Sequence, residues 1–491
     1  MGENDQSGTV VSKLFTSGSI LFVGLACDYG LLFGNKILMA RTLSNEGYGA
    51  IAFGYSFFAI VSTLSLLGLN SGIARYLPRY ESETQQKDIF ISAVQIVMPV
   101  AVLTGLGIFI FANQIAVAVF DRPAAAGVIG IFALAIPFEV LLKISMSVFQ
   151  GTKNYTFKAI VDNIGLSLIR VFFVVCALWL GYTEYGASVA YLLSYILTAL
   201  AGVYLLYSKT NFTRWDRYTP RRKELFLFSF PLMLSSVITI VLSNMDTMLI
   251  GYYIGLETVG TYNVVYSLTF LLTVVLTAFR FIVVPELSEH HSNGDITKMR
   301  STYKKITLWI MLVTFPPFFV LIASPELAIS LTFGGKYASG SAALVVLSFG
   351  FFIHAILGPN AATLTSLGNT KTILFDNVVA VAINLVLNVL LIPRYGMLGA
   401  AVATTVSYIC LNIAYAVQLY SKIALLPIST AYSRTYLTLL GSGVILLVSR
   451  EILPIPAVLA LFTLVYALTV GKLVPLSELV TIIRDQRSNL N

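Results

Sequence analysis

Long apolar stretches alternate with short polar breaks along the whole chain. Apolar runs cover 14–36, 49–70, 89–111, 126–149, 159–180 and 187–207, and a polar break follows at Ser208–Glu224. Further runs cover 225–250, 260–283, 306–331, 341–365, 373–393 and 397–420, then 435–450 and 455–474. Each approaches the length of about 20 apolar residues that a helix needs to cross hydrocarbon, so the pattern predicts an all-α membrane protein of about fourteen spans. Pro316, Pro317 and Pro325 are expected to interrupt the ninth. The connections are short, and the longest is expected over Pro285–Lys305. That leaves no room for a soluble catalytic domain on either side.

The two halves of this pattern resemble each other. Leu14-Phe15 aligns with Leu225-Phe226, Glu46 with Glu257 and Gly49 with Gly260, without a gap. After a small indel, Asp162-Asn163 aligns with Asp376-Asn377, Tyr185-Gly186 with Tyr395-Gly396, and Ser194-Tyr195-Ile196 with Ser407-Tyr408-Ile409. The expected organisation is a six-helix lobe over 1–207, a basic cytoplasmic linker over 208–224 and a second six-helix lobe over 225–420. Two extra spans and a tail follow over 421–491. Repeats with an even number of spans share one orientation, so an axis along the membrane normal relates the lobes, as in transporters whose halves rock against each other.

Composition sharpens this picture. Of 491 residues, 57% are hydrophobic and 11% charged, and the mean hydropathy is +0.84. A soluble domain carries roughly 25% charged residues; this chain cannot cover a water-facing surface. The net charge of +8 reads as the Lys/Arg excess of cytoplasmic loops rather than as a nucleic-acid interface. Placing both termini in the cytoplasm puts most Lys and Arg inside, including Lys209, Arg214, Arg217, Arg221, Arg222 and Lys223 of the linker. Met1–Ser12 is polar and no small-residue cleavage site follows, so the first helix is expected to act as its own insertion signal. Cys27, Cys176 and Cys410 fall in apolar runs and read as small buried hydrophobes, with no metal-ligand spacing.

Several short motifs carry a family resemblance. Ala40-Arg41-Thr42-Leu43-Ser44-Asn45-Glu46-Gly47-Tyr48-Gly49 resembles the opening signature of polysaccharide transporters in the multidrug/oligosaccharidyl-lipid/polysaccharide (MOP) flippase superfamily. Gly151-Thr152-Lys153, Asn244-Met245-Asp246, Gly260-Thr261-Tyr262-Asn263 and Tyr395-Gly396-Met397-Leu398-Gly399-Ala400-Ala401 extend the resemblance over nearly the whole chain. It implies two six-helix lobes around a cationic cavity and an export flippase for lipid-linked oligosaccharide, without enzymatic activity. Implied partners are the lipid-linked substrate, membrane lipids and a polysaccharide polymerase or oligosaccharyltransferase. No cofactor is implied beyond coupling to H+ or Na+, and no P-loop signature points to direct ATP use.

The chemistry is sought in charges inside spans, because each costs about 2.5–3.5 kcal/mol on insertion scales. These are Asp28, Glu139, Lys143, Arg170 and Asp246, with Arg280 near a span end. Glu139 and Lys143 share a helix face at i, i+4 spacing, which allows a self-neutralising pair or a cavity role. Arg170 has no opposite charge on its own helix. Its partner is Glu139, Asp28 or the phosphates of a substrate, which a guanidinium grips with a planar fork. Arg170, Arg280, Lys143 and Glu139 are therefore the substrate-binding candidates; for Arg280 the resemblance to lipid II flippases adds weight against simple snorkelling. Asp28 and Asp246 are the ion-coupling candidates, although interfacial solvation also accounts for Asp246 near a span end. Asp162 and Asp376 read as acids in first helical turns, favoured by the dipole. His354 reads as a structural hydrogen-bond partner, and Asn384, Asn388 and Asn412 as glue between helices.

The rival transport reading is a cation-coupled multidrug exporter, which uses acidic residues for a cationic drug. A membrane-embedded glycan-processing enzyme is more distant, since it needs catalytic groups on a sizeable external loop.

Overall fold

The computed structural model describes residues 24, 27–80, 82–209, 219–357, 359–426, 433–450 and 452–473. Among them all regular structure is helical. Helix α1 covers 27–42. It is followed by α2 (Asn45–Ser65), α3 (Leu69–Tyr76), α4 (Glu83–Ile110), α5 (Ala126–Gly151), α6 (Leu166–Trp179), α7 (Glu184–Lys209) and α8 (Arg222–Tyr253). Then come α9 (Leu256–Ser292), α10 (Ile296–Ala323), α11 (Pro325–Thr332), α12 (Ser341–Leu357) and α13 (Pro359–Ser366). The last are α14 (Thr370–Tyr395), α15 (Met397–Ile423), α16 (Ser433–Ser449) and α17 (Ile455–Leu473). Eleven helical stretches among the described residues are long and apolar enough to cross a membrane, and two shorter apolar helices lie at Leu437–Ser449 and Ile455–Gly471. The first apolar run, 14–36, lies largely outside the described residues, as do linker residues 210–218 with Arg214 and Arg217.

Three expectations change. The long connection at Pro285–Lys305 does not exist: α9 carries Pro285 in its interior and runs to Ser292, and α10 begins at Ile296. Gly294 turns the chain at φ 72°, and the Asp295 carboxylate accepts from the Lys298 amide at 3.0 Å to cap α10. Hydropathy marks where the helix leaves hydrocarbon, not where the helix ends. Pro316 and Pro317 also sit inside α10, which stops only at Ser324; Pro325 opens α11. A proline at a first turn loses no bond, and proline inside a span is tolerated where neighbouring groups satisfy the freed backbone. Finally, Cys27 is exposed, and Cys176 and Cys410 half-buried, all as free thiols. Apolar runs here have outward faces too, and Leu103, Phe172 and Leu437 are likewise exposed.

Contacts divide the chain into two compact units. The first takes in 1–267, 332–340 and 377–403; the second 268–331, 341–376 and 404–491. In the first, α5 packs on α4 and α7, α6 on α7, and α2 on α5 and α8. Gly49 and Gly260, which the repeat aligns, meet there. An added Cβ on Gly49 would lie 1.7 Å from the Leu256 carbonyl oxygen, and one on Gly260 2.5 Å from that of Asn45. Backbones of α2 and α9 touch at this crossing, so no side chain fits. In the second unit, α10 packs on α12, α13 and α17, and α16 on α17. Phe318 stacks on Phe352 at 4.1 Å and Phe319 on Phe462 at 3.9 Å.

Candidate functional site: a charged cluster in the first unit

Four of the charges sought in the sequence converge. Asp28 comes from α1, Glu139 and Lys143 from α5, and Arg170 from α6. Arg170 is 3% exposed. Its guanidinium lies 4.6 Å over the ring of Tyr191 and 5.2 Å over that of Tyr195, both on α7. Those tyrosines are four apart, so they share a helix face and form one aromatic platform. The Arg170 Nε finds no acceptor among the described residues. Glu139 lies close to the Tyr195 side chain and within electrostatic reach of Lys143 and Arg170. Its buried Oε2 has no donor among the described residues.

Lys143 does not close a pair with Glu139. Its ammonium lies 3.0 Å from the Asp162 carboxylate, and the two side chains are 34% and 10% exposed. Asp162 is not at a helix start either. Helix runs from Tyr155 to Trp179, and residues Ala159–Gly165 form a π-helical stretch inside it. Such a stretch widens the turn and commonly marks a functional position. Asp28 accepts a hydrogen bond from the Ser167 hydroxyl and feels the charges of Arg170, Asp162 and Lys143. Asn35 on α1 donates to the Tyr191 hydroxyl at 3.2 Å, tying the platform to α1. The result is a nest of both signs, walled by tyrosine and holding an arginine edge and a carboxylate oxygen that are unsaturated among described partners.

Asp246 belongs to a separate cluster. It is 4% exposed and accepts from the Tyr262 hydroxyl at 2.5 Å and the Asn388 amide at 2.7 Å. Asn388 also donates to Asn384 at 3.0 Å. Interfacial water therefore does not solvate this carboxylate; protein donors do. Arg280 lies on α9, and its side chain falls outside the described residues. In the second unit, Asp376 sits in the second turn of α14 and accepts from Gln418 at 2.6 Å. Tyr303 donates to Asn360 at 2.5 Å, and Asn412 lies 2.9 Å from the His354 Nδ1.

The sequence reading missed one intramembrane cation. Lys36 lies within α1 and donates to Ser267 at 3.0 Å. The apolar run ends at this residue, but α1 continues to 42. The Ala40-Arg41-Thr42 motif was the available signal that helix extended past it.

This arrangement can hold a polyanion or its counter-ion within a helical bundle, and comparison with known proteins says which class of bundle it is. The sequence profile of the polysaccharide biosynthesis protein family matches residues 38–342, and the chain belongs to that family. An uncharacterized membrane protein of Methanocaldococcus jannaschii is 23% identical over 397 residues, 76% of this chain and 77% of that one. The probable low-salt glycan biosynthesis flippase Agl15 of Haloferax volcanii is 26% identical over 206 residues, 41% of this chain and 43% of its own. The succinoglycan biosynthesis transport protein ExoT of Rhizobium meliloti is 26% identical over 319 residues, 63% and 60% of the two chains. In fold, the chain is similar to the lipid II flippase MurJ, with a TM-score of 0.75 at 15% identity, covering 92% of this chain and 98% of that one. A multidrug MATE transporter of the MOP superfamily gives 0.63 at 15% identity, covering 81% and 94%. The protein is thus a multi-pass membrane protein of the polysaccharide biosynthesis family, with a fold similar to those of a lipid II flippase and a MATE transporter.

Proposed function

We propose that this protein flips a lipid-linked oligosaccharide from the cytoplasmic to the outer leaflet by alternating access, with both of its termini in the cytoplasm. The observation that carries this reading is Arg170: a buried guanidinium on a tyrosine platform, with its Nε lacking an acceptor among the described residues. A polyprenyl or dolichyl phosphate supplies such an acceptor, and charge-assisted bonds to a planar fork are the strong kind. Lys143 adds a second cation, while the tyrosines shield the buried guanidinium from water that would screen it. The lipid tail never leaves hydrocarbon, so the cluster needs only to shield the head group. Asp28 and Asp246 are the carboxylates available to carry a coupling H+ or Na+. The released product then feeds a polymerase or oligosaccharyltransferase, and the protein itself breaks no bond.

The Glu139 oxygen without a described donor favours the second reading, a cation-coupled drug exporter in which that oxygen meets a cationic drug. One experiment separates the two. In the native host the gene is deleted and lipid-linked sugar is labelled with a membrane-impermeant reagent. Under the flippase reading, label-inaccessible lipid-linked sugar accumulates. The intact gene restores labelled, outer-leaflet lipid-linked sugar, Arg170→Lys restores it in part, and Arg170→Ala, present at normal abundance, leaves it at least ten-fold low. Unchanged lipid-linked sugar with new sensitivity to cationic dyes replaces the flippase by the exporter.

A further inference from the structure

Three cations on one face of the bundle donate to carbonyls at helix ends. Helix α1 stops at 42, leaving its last carbonyls without intrahelical donors. Lys336 donates to the Leu43 carbonyl just past that end, and the Tyr337 hydroxyl donates to the Ala40 carbonyl at 3.0 Å. The favour is returned: Arg41, in the last turn of α1, donates to the carbonyl of Thr332, the last residue of α11, at 2.7 Å. Asn45 closes the loop with a bond to the Lys336 carbonyl at 3.3 Å. Arg122 does the same for α8, with bonds of 3.0 and 3.4 Å to the Gly251 and Tyr252 carbonyls. A cation at a helix C-terminus meets both the orphan carbonyls and the negative end of the dipole.

The connections that carry these groups are α1–α2, α4–α5, α8–α9 and the stretch after α10. An even number of spans separates each from the next, so all four lie on the same membrane face. Residues 332–340 are contact members of the first unit, although the chain on both sides of them, 268–331 and 341–376, belongs to the second. Tyr337 is fully buried against the ring of Tyr48. The Tyr48 hydroxyl reaches Asn263 at 2.9 Å, beside the Gly49–Gly260 crossing of α2 and α9.

We infer that residues 332–340 are a releasable strap, and that the reciprocal caps of Arg41 and Lys336, with that of Arg122, form the clasp that keeps this face closed. Bonds from a side-chain cation to backbone carbonyls suit such a task. Each donor and acceptor can exchange its partner for water when the face opens, so no bare charge is stranded in either state. Taking opening of this face, the outer one, as the release step rests on the flippase reading above; the existence of the clasp does not.

The test reads both parts. Hydrogen–deuterium exchange is followed by mass spectrometry on the full chain in nanodiscs. Arg41→Gln combined with Arg122→Gln is expected to raise exchange in 332–340 and 40–48 at least five-fold, with peptides of α5 and α7 as protected as in the parent, while Lys336→Arg leaves 332–340 protected. Unchanged exchange in 332–340 overturns the clasp, and so does equal loss of protection across α5 and α7, which makes the caps mere fold contacts. In a background with Cys27, Cys176 and Cys410 replaced by Ser, Asn45→Cys with Lys336→Cys is then oxidised. A disulfide that stops export of lipid-linked sugar, with recovery on reduction, supports the strap as a moving part; a crosslinked protein exporting at the reduced rate overturns it. If the reduced parent exports no lipid-linked sugar at all, the flippase reading fails while the exchange result still decides the clasp.

Discussion

Two aspartates aligned by the internal repeat keep unlike company. Asp162, in the first unit, lies 3.0 Å from an ammonium; its own helix adds Arg170, and neighbouring helices add Glu139 and Asp28. Asp376, in the second, is held by the neutral amide of Gln418. Tyr303, Asn360, Asn412 and His354 of that unit also meet through neutral groups, a phenol, two amides and an imidazole. The two positions that the repeat aligns thus differ in surroundings, with both signs around Asp162 and a neutral amide at Asp376. Burying charge is costly unless each charge is paired, so the charged cluster carries an expense that the neutral network avoids. That asymmetry gives the first unit a buried cluster of both signs, and the second neutral contacts between helices.

The largest expected effect tests whether the Asp246 cluster is as demanding as the charged nest. Asp246→Ala leaves the buried Tyr262 hydroxyl and Asn388 amide each without this acceptor, at about 1–3 kcal/mol apiece. A fall in the thermal unfolding midpoint is the expected outcome. Asp246→Asn keeps the shape and an acceptor oxygen, so it should unfold near the parent midpoint. If Asp246 carries the coupling ion, that same variant loses the dependence of export on a H+ or Na+ gradient. Parent-like gradient dependence in Asp246→Asn reduces the residue to a structural acceptor.

A smaller effect is expected at Asp162. Asp162→Asn removes the carboxylate facing Lys143 and leaves that ammonium in a span without its 3.0 Å partner. The cost is about 1–3 kcal/mol, toward the lower end because a third of the Lys143 side chain is exposed. The double variant Asp162→Asn with Lys143→Met should regain the midpoint, since neither charge is then left alone. Recovered stability without recovered export assigns the pair to transport; recovery of both makes it a structural bridge.

Much of this was legible in the sequence because hydrocarbon imposes a simple grammar. Apolar length located the spans, and the charges that broke it located most of the cluster. What escaped depends on facts that hydropathy does not encode. Lys36 was hidden by a span edge drawn too early. Asp162 looked like a helix-start acid because periodicity cannot show that helix begins at Tyr155, or that a π-helical stretch turns the side chain toward α5. For Lys143 the sequence offers a pair with Glu139 or a cavity role, because i, i+4 spacing is visible and a partner nineteen positions away is not. The bonds of Arg41, Lys336 and Arg122 go to carbonyls, which every residue has, and so leave no compositional trace.

The smallest effect bears most directly on the comparison. Asp376→Asn keeps an oxygen for the Gln418 amide, and because that hydrogen-bond partner is neutral the substitution strands no charge on it. A neutral bond replaces a charge-assisted one, a change below about 1 kcal/mol, and export should stay within two-fold of the parent. Asp376→Ala goes further and leaves the half-buried Gln418 amide without its acceptor. If both variants export normally, the second unit's aspartate is a relic of the repeat and the functional charge lies on one side only. If Asp376→Asn instead abolishes export as Asp162→Asn does, the two positions are equivalent in use as well as in descent. The neutrality of Asp376's surroundings would then belong to one conformation of a cycle in which its charge is used in another. Measuring export and unfolding midpoint for Asp162→Asn and Asp376→Asn side by side distinguishes these cases, because only a working charge separates the two readouts.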